Sequence, residues 1–225
     1  MRTRVSWWTE RSIEWFERAS RCSDYHERLC DIIMPYLSGR ITEAGCGLGY
    51  EARILHGRGA DITAFDRDAS VIERARSISG HDIFRCMDFS QLSEIPDVLL
   101  CINFAHMESR GVFDNLMAHA EKRLVYVLSR HTGPGKSARP DRSALVEHIV
   151  RESGFPYERL DFTLQFDQPL RSLDEARAFI EWTYPDDDMQ VCMQSVVENG
   201  NPQYPYVFRN SKNLVLFTVD KGEGK

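Results

Sequence analysis

RITEAGCGLGY, residues Arg40 to Tyr50, is the stretch from which the rest of the chain can be ordered. A short β-prone run, Ile41 and Thr42, leads to the acidic Glu43, and Gly45, Gly47 and Gly49 follow before a helix-compatible segment opens at Tyr50. That order reads as strand, glycine turn and helix start. Glycine suits such a turn in two ways: it tolerates positive φ, and without a Cβ it lets a ligand lie directly against the peptide groups. A GxGxG turn alone is equally an ordinary βα connection, so its meaning depends on the strands and acids C-terminal to it.

Downstream, Tyr50 to His56 supports a short helix through Ala52, Ile54 and Leu55, ended by Gly57, Gly59 and Ala60. Asp61 to Phe65 returns as a second strand, closed by Asp66, 23 positions beyond Glu43. In nucleoside-binding βαβ units an acid about 20 residues past the glycine turn accepts hydrogen bonds from ribose hydroxyls. A carboxylate fits that task because it accepts two donors at once. A third strand is expected over Asp82 to Cys86, leading to Met87, Asp88 and Phe89. The fourth, Asp97 to Ile102, is nearly all apolar, as befits a strand covered on both faces, and it ends at Asn103, Phe104, Ala105 and His106. An amphipathic helix over Arg110 to Ala120 and a fifth strand over Leu124 to Leu128 complete an alternation that predicts a doubly wound, mostly parallel sheet. Ligands of such sheets sit beyond the carboxyl ends of the strands, where Gly45 to Gly49, Asp66, Asp88 and Asn103 all fall.

The flanks are less regular. Trp8 to Tyr36 reads as two helices, the second with an apolar stripe of Leu29, Ile32, Ile33 and Tyr36 behind a cap at Ser23 or Asp24. Trp7, Trp8, Trp15 and Phe16 give the first helix a high aromatic density, which suits gluing it to a core or shaping a substrate pocket as a lid. Arg130 to Arg142 is a turn-rich loop with four Lys or Arg side chains and one acid, read mainly as a solvated loop and secondarily as a hold for an anionic substrate. A helix over Ser143 to Ser153 closes at Gly154. In Tyr157 to Gln168 the alternation of Leu160, Phe162, Leu164 and Phe166 predicts a half-buried strand. Ser172 and Glu175 form a capping-box pattern for a helix ending before Pro185. Asp186 to Asp188 reads as a charged helix start rather than a metal site. The chain closes with Tyr206 to Arg209, a polar turn at Asn210 to Asn213, and a strand over Leu214 to Val219, hairpin-like in form.

At 225 residues the chain can bury a sizeable single core, and a formal net charge of −6 argues against a general duplex-binding surface. With no apolar run of membrane-spanning length and no apolar core near the N-terminus, a cytoplasmic location is expected. The six cysteines lack CxxC or metal-type spacing, so reduced thiols are expected, with Cys86 and Cys101 as small buried hydrophobes in strands. No metal is expected.

The layout resembles the class I S-adenosylmethionine-dependent methyltransferases from about Leu37 to the C-terminus. The family's first motif, an acid before GxGxG, stands as EAGCGLG, Glu43 to Gly49. The acid closing strand two stands in AFDRD as Asp66, and the acid near the end of strand three stands in CMDFS as Asp88. The region after strand four is LLCINFAH, and the strand Leu214 to Val219 matches the family's antiparallel last strand. The resemblance implies a seven-stranded sheet over residues 38–225, a helical insertion at about 169–205, and residues 1–37 as a variable helical cap. It implies S-adenosylmethionine as cofactor, its methionine end over Gly45, Cys46, Gly47 and Gly49, its ribose on Asp66, and its adenine between Arg67 and Asp88 with Phe89 alongside. The methyl group then points toward Asn103, Phe104 and His106, with Trp8, Trp15 and His131 toward the acceptor.

His106 is the expected general base where an acceptor needs one, since imidazole titrates near neutrality; equally, it serves to orient the following helix. The sequence after strand four has no [DN]PP[YFW] motif, and together with the acidic balance this leaves a small-molecule acceptor as the expectation. Two alternatives stand beside it. One is a non-catalytic module of the same fold binding a protein partner; the other is a nicotinamide-dependent oxidoreductase, for which GxGxxG would need a glycine where Tyr50 stands. Nothing in the sequence fixes the oligomeric state.

Overall fold

The structure is a computed structural model describing residues 8–130 and 141–222. The described chain opens with helices α1 (Glu10–Arg21) and α2 (Tyr25–Ile33). It continues through β1 (Arg40–Ala44), α3 (Tyr50–Gly57), β2 (Asp61–Asp66), α4 (Ala69–Ser79), β3 (Phe84–Cys86) and β4 (Val98–Ile102). Next come α5 (Arg110–Ala118), β5 (Arg123–Ser129), α6 (Ser143–Ser153) and β6 (Tyr157–Gln165). Last are β7 (Gln168–Leu170), α7 (Leu173–Thr183), α8 (Met189–Met193), β8 (Val196–Glu198), β9 (Tyr206–Phe208) and β10 (Ser211–Asp220).

Seven strands form one sheet in the order β3-β2-β1-β4-β5-β10-β6. The pairs β3/β2, β2/β1, β1/β4 and β4/β5 are parallel, and β10 runs antiparallel to β5. This is the expected fold class, with its antiparallel strand near the C-terminus. Successive crossovers run outward from β1 to β3 and then start again on its other side with β4, so the order reverses between β1 and β4. Such a reversal leaves a crevice beyond the strand ends, because the connecting helices lie on opposite faces of the sheet.

Local sequence explains the boundaries. Thr9 caps α1 in a reciprocal box with Ser12, and Asp68 caps α4 by accepting from the amide of Ser70. Gly80 (φ +67) and Gly154 (φ +77) end α4 and α6 in the left-handed conformation, their amides donating to the carbonyls of Arg76 and Arg151 in the last turns. β4 and β5 lie in the middle of the sheet, and Leu99, Cys101, Leu124 and Val127 are wholly buried.

Two compact units emerge. The larger holds His26–Arg130, Arg142–Phe162 and the chain from Leu214, and contains most of the seven-stranded sheet. The smaller holds the chain up to Tyr25 together with Thr163–Asn213. The expected cap of residues 1–37 therefore spans both, because α1 groups with the later insertion and α2 with the sheet.

In the smaller unit β7, β9 and β8 form a three-stranded antiparallel sheet, and Trp15, Leu170, Phe179, Ile180, Tyr184 and Phe208 build its core. Arg18 of α1 is buried there. Its guanidinium binds Glu175 at 2.9 Å, Glu14 at 2.7 Å and the carbonyl of Pro169 at 3.1 Å, while Nε1 of Trp15 donates to the same Glu175 at 3.2 Å.

Several expectations are corrected. The insertion is not purely helical: three strands of three residues each lie in or beside it, too short to register as alternation. The terminal hairpin does not form, because Tyr206–Phe208 joins the small sheet. The expected polar turn is largely strand, since β10 already opens at Ser211; Asn210 before it is buried with its amide on Asp167 Oδ1 at 2.8 Å. Leu160, expected inside, is 41% exposed: β6 is an edge strand, and its burial starts only at Leu164. Cys86 is exposed at the end of β3, the strand on the opposite edge. The capping box at Ser172 is half made. Ser172 accepts from the amide of Glu175, but the Glu175 carboxylate turns to the amide of Arg171 at 2.6 Å and to Arg18, which offers it a charged partner.

Candidate functional site

The glycine turn leaves β1 under tight backbone control. The amides of Gly45 and Cys46 both donate to the carbonyl of Phe65, at 2.8 and 3.0 Å, tying the turn to the neighbouring strand. Gly45 has φ +71, and a Cβ there would stand 2.3 Å from Cδ2 of Phe104; Gly49 has φ +67, and its Cβ would stand 2.2 Å from Cε1 of Phe84. At these two positions the absent side chain makes room for the protein's own aromatic rings. Gly47 differs: its amide donates to Oδ2 of Asp66 at 3.0 Å, so the acid closing β2 holds the middle of the turn.

Asp66 is half-buried and spends its other oxygen, Oδ1, on the amide of Asp68 at 3.0 Å. A carboxylate has about four lone-pair sites, so two remain for a ligand. Asp66 pairs with Cys86 across β2 and β3, which puts Asp88, two residues on, at the same end of the sheet. Asp88 lies beyond β3 and caps a 3-10 turn at Phe89–Gln91: Oδ1 accepts from the amide and hydroxyl of Ser90, and Gln91 reaches back to its amide. The Ser90 bonds, backbone first, then the charge of exposed Arg67, hold the Asp88 carboxyl below its ordinary value. The half-buried Phe89 ring lies 5.6 Å from Phe104 and 6.3 Å from Phe65, giving a flat aromatic surface beside these acids.

Beyond β4 the backbone is strained. Asn103 (φ +51) and Ala105 (φ +46) adopt left-handed conformations that residues with a Cβ rarely take. Each is braced from β5: Asn103 Oδ1 accepts from the amide and hydroxyl of Ser129 at 2.9 and 3.0 Å, and the Tyr126 hydroxyl donates to the carbonyl of Ala105 at 2.6 Å. Burial pushes the Tyr126 phenol up to about 12, so it is a constant donor across the physiological range. Strain held this firmly is a mark of functional loops. His106, next in line, is exposed.

Beneath the turn lies a buried acidic pair. Glu43 is 2% exposed; the amide of Ala52 donates to it, and its Oε2 has no hydrogen-bond partner. Burial, then the charges of Glu51 and Asp66, push the Glu43 carboxyl well above its ordinary value. Glu51, in the first turn of α3, meets Nδ1 of His26 at 2.6 Å. Burial pushes the Glu51 carboxyl up, but the charge and hydrogen bond of His26, with its own amide and Arg53, outweigh this and hold it below its ordinary value. The His26 ring also stacks on Tyr50 at 4.6 Å.

Glu43, Gly45, Cys46, Gly47, Gly49, Asp66, Arg67, Asp88, Phe89, Asn103, Phe104 and His106 thus all lie at or beyond the carboxyl ends of β1 to β4 in the larger unit. Trp8 and Trp15 belong to the smaller unit. Trp8 is half-buried with its ring 5.5 Å from Phe16, and Trp15 is 3% exposed against Phe179. His131 and Trp7 lie outside the described residues, as does most of the basic loop at 130–142. Three sets of contributors were missed: the ring of Phe84 under Gly49, the Tyr126 and Ser129 braces, and the Glu51–His26 pair. Only Glu51 left a signal, as an acid in the turn of helix that follows a glycine loop.

Residues 42–119 match the family model described as "Methyltransferase domain". No curated protein matches the sequence. Among solved structures, the magnesium protoporphyrin IX methyltransferase of Synechocystis PCC 6803 with bound SAH is similar at a TM-score of 0.56 and 13% identity, over 94% of this chain and 88% of that one. YcgJ of Bacillus subtilis is similar at 0.55 and 15%, over 88% and 100%. A Pyrococcus horikoshii protein provisionally described as an RNA methyltransferase is similar at 0.54 and 12%, over 87% and 83%. At these identities the likeness is one of fold.

Proposed function

On the premise that residues 42–119 are a methyltransferase domain carried on the class I S-adenosylmethionine-dependent methyltransferase fold, we propose that the protein transfers a methyl group from S-adenosylmethionine to an O, N or C atom of a small-molecule acceptor. The observation that carries this reading is the Asp66 carboxylate, fixed by the amides of Gly47 and Asp68 with lone pairs to spare, at the mouth of a strand-order reversal. A carboxylate so preorganised suits the vicinal hydroxyls of a ribose.

The residues fit the cofactor in kind. Asp66 would take the ribose hydroxyls. Arg67, Asp88 and Phe89 would flank the adenine, Phe89 with its ring face and Asp88 with the oxygen left over from its cap. Glu43 and the Gly45 to Gly49 backbone would meet the methionine end. The cofactor supplies a methyl group already activated on a sulfonium, so this chain's task is to align the acceptor in line and exclude water. The braced loop from Asn103 to Ala105 serves alignment, and His106 is placed to remove a proton from an acceptor that carries one. On the acceptor side we assign Trp8, Trp15 and His131.

A small-molecule acceptor is supported by the net charge of −6, and by a similar protein named for magnesium protoporphyrin IX. The neighbour named for RNA supplies the rival. Among the described residues no helix is long and apolar enough to cross a membrane, and a cytoplasmic site of action is part of the proposal.

Calorimetry with S-adenosylmethionine, and separately with nicotinamide dinucleotides, tests the reading. Binding of the former is expected. Binding of a dinucleotide alone rejects it.

A further inference from the structure

Glu43 presents an unusual charge problem. It is enclosed at the end of β1, one oxygen receives the amide of Ala52, and the other receives nothing. An ionised oxygen without a donor in a dry interior is costly, whereas the neutral acid leaves only a hydroxyl unsatisfied. The groups around it reinforce the same choice. From α3 comes Glu51, already ionised by its contact with His26 of α2; from β2 comes Asp66; and the thiols of Cys30 on α2, Cys46 in the turn and Cys101 on β4 lie in electrostatic reach without bringing positive charge. One imidazole therefore serves two buried carboxylates, and Glu51 has taken it.

We infer that Glu43 is the neutral acid in the ligand-free protein and that capture of the cationic cofactor at the glycine turn is coupled to loss of its proton. The inference rests on the cofactor assignment proposed above. The bond that breaks is O–H of the Glu43 carboxyl, and its proton passes to solvent buffer. What forms is an ion pair between the resulting carboxylate and the positive charge brought by the ligand. The donorless oxygen acquires its partner only in the complex, so binding and ionisation favour each other. His26 is then a positioning residue: by engaging Glu51 it leaves Glu43 without a cationic partner until the ligand brings one.

The linkage is measurable without turnover. S-adenosylmethionine is titrated into the whole protein by calorimetry at neutral pH in buffers of different ionisation enthalpy, and affinity is followed from about pH 6 to about pH 9. Wild type is expected to release on the order of one proton per cofactor bound, with affinity rising by up to about tenfold per pH unit where release is greatest. Glu43→Gln, close in shape, is expected to bind without that release and to lose that part of the pH slope. Glu51→Gln provides the second check: with the neighbouring negative charge removed, Glu43 ionises more readily beforehand and release falls. Binding by wild type with no proton released, or equal release by wild type and both variants, overturns the inference and leaves the cofactor assignment standing. Absence of binding, with no shift in melting temperature, overturns both.

Discussion

The Cβ that Gly45 lacks would stand 2.3 Å from Cδ2 of Phe104, and 3.2 Å from its Cβ. The ring cannot simply swing away, because its root is crowded as well as its edge. Gly45→Ala is therefore expected to destabilise the fold by about 2 to 4 kcal/mol, combining a left-handed backbone at φ +71 with overpacking. Urea denaturation checks this. Adding Phe104→Ala should recover the steric share relative to Phe104→Ala alone, and additive losses in the double variant would refute the contact as the cause.

Asp66→Ala is expected to weaken S-adenosylmethionine binding by about 1 to 3 kcal/mol, the loss typical of charged hydrogen bonds. It also frees the amides of Gly47 and Asp68. Titration calorimetry reads the affinity, and an unchanged value would remove Asp66 from the ligand.

His106→Ala should leave cofactor affinity nearly intact while lowering turnover once an acceptor is in hand. The side chain is exposed, so its loss should cost little stability. Unaltered turnover would return His106 to shaping the entry into α5.

Arg18 anchors α1 to Glu175 and to the carbonyl of Pro169. Arg18→Met leaves Glu175 with its buried partner gone, and a loss of about 3 to 5 kcal/mol is expected. Because Nε1 of Trp15 donates to the same carboxylate, a red shift in tryptophan emission should accompany it. Lysine in its place should rescue little, since a point charge cannot reproduce a fork that holds three partners.

The two buried glutamates give opposite pH signatures. Glu43 has its carboxyl raised in the folded state, so the folded protein holds an extra proton above the ordinary glutamate value, and stability falls as pH rises toward the folded value. Glu51 has its carboxyl lowered, so its contribution is present above the ordinary value and fades as pH falls below it. Glu43→Gln should therefore flatten the decline in melting temperature on the alkaline side and leave the acid limb alone. A variant whose whole profile moves in parallel with wild type would contradict the assignment.

The sequence by itself determined the parallel sheet, the glycine turn and the placement of acids at the strand ends. Each follows from short-range rules: apolar runs such as Val98–Ile102 mark strands buried on both faces, and a strand-glycine-helix order needs no distant partner to be read. Only the tertiary structure decided that α1 joins the insertion, that Tyr206–Phe208 leaves the expected hairpin for a second sheet, and that Leu160 faces outward. It also decided why Gly45 and Gly49 are glycines, since the rings they accommodate arrive from Phe104 and Phe84, far along the chain. His26 and Glu51 lie 25 residues apart and carry no periodic signature; their charge becomes informative only when α2 docks on α3 and water is excluded. Backbone sterics and burial pattern act locally and are written in order along the chain, whereas the protonation of a buried acid depends on which distant groups folding brings beside it.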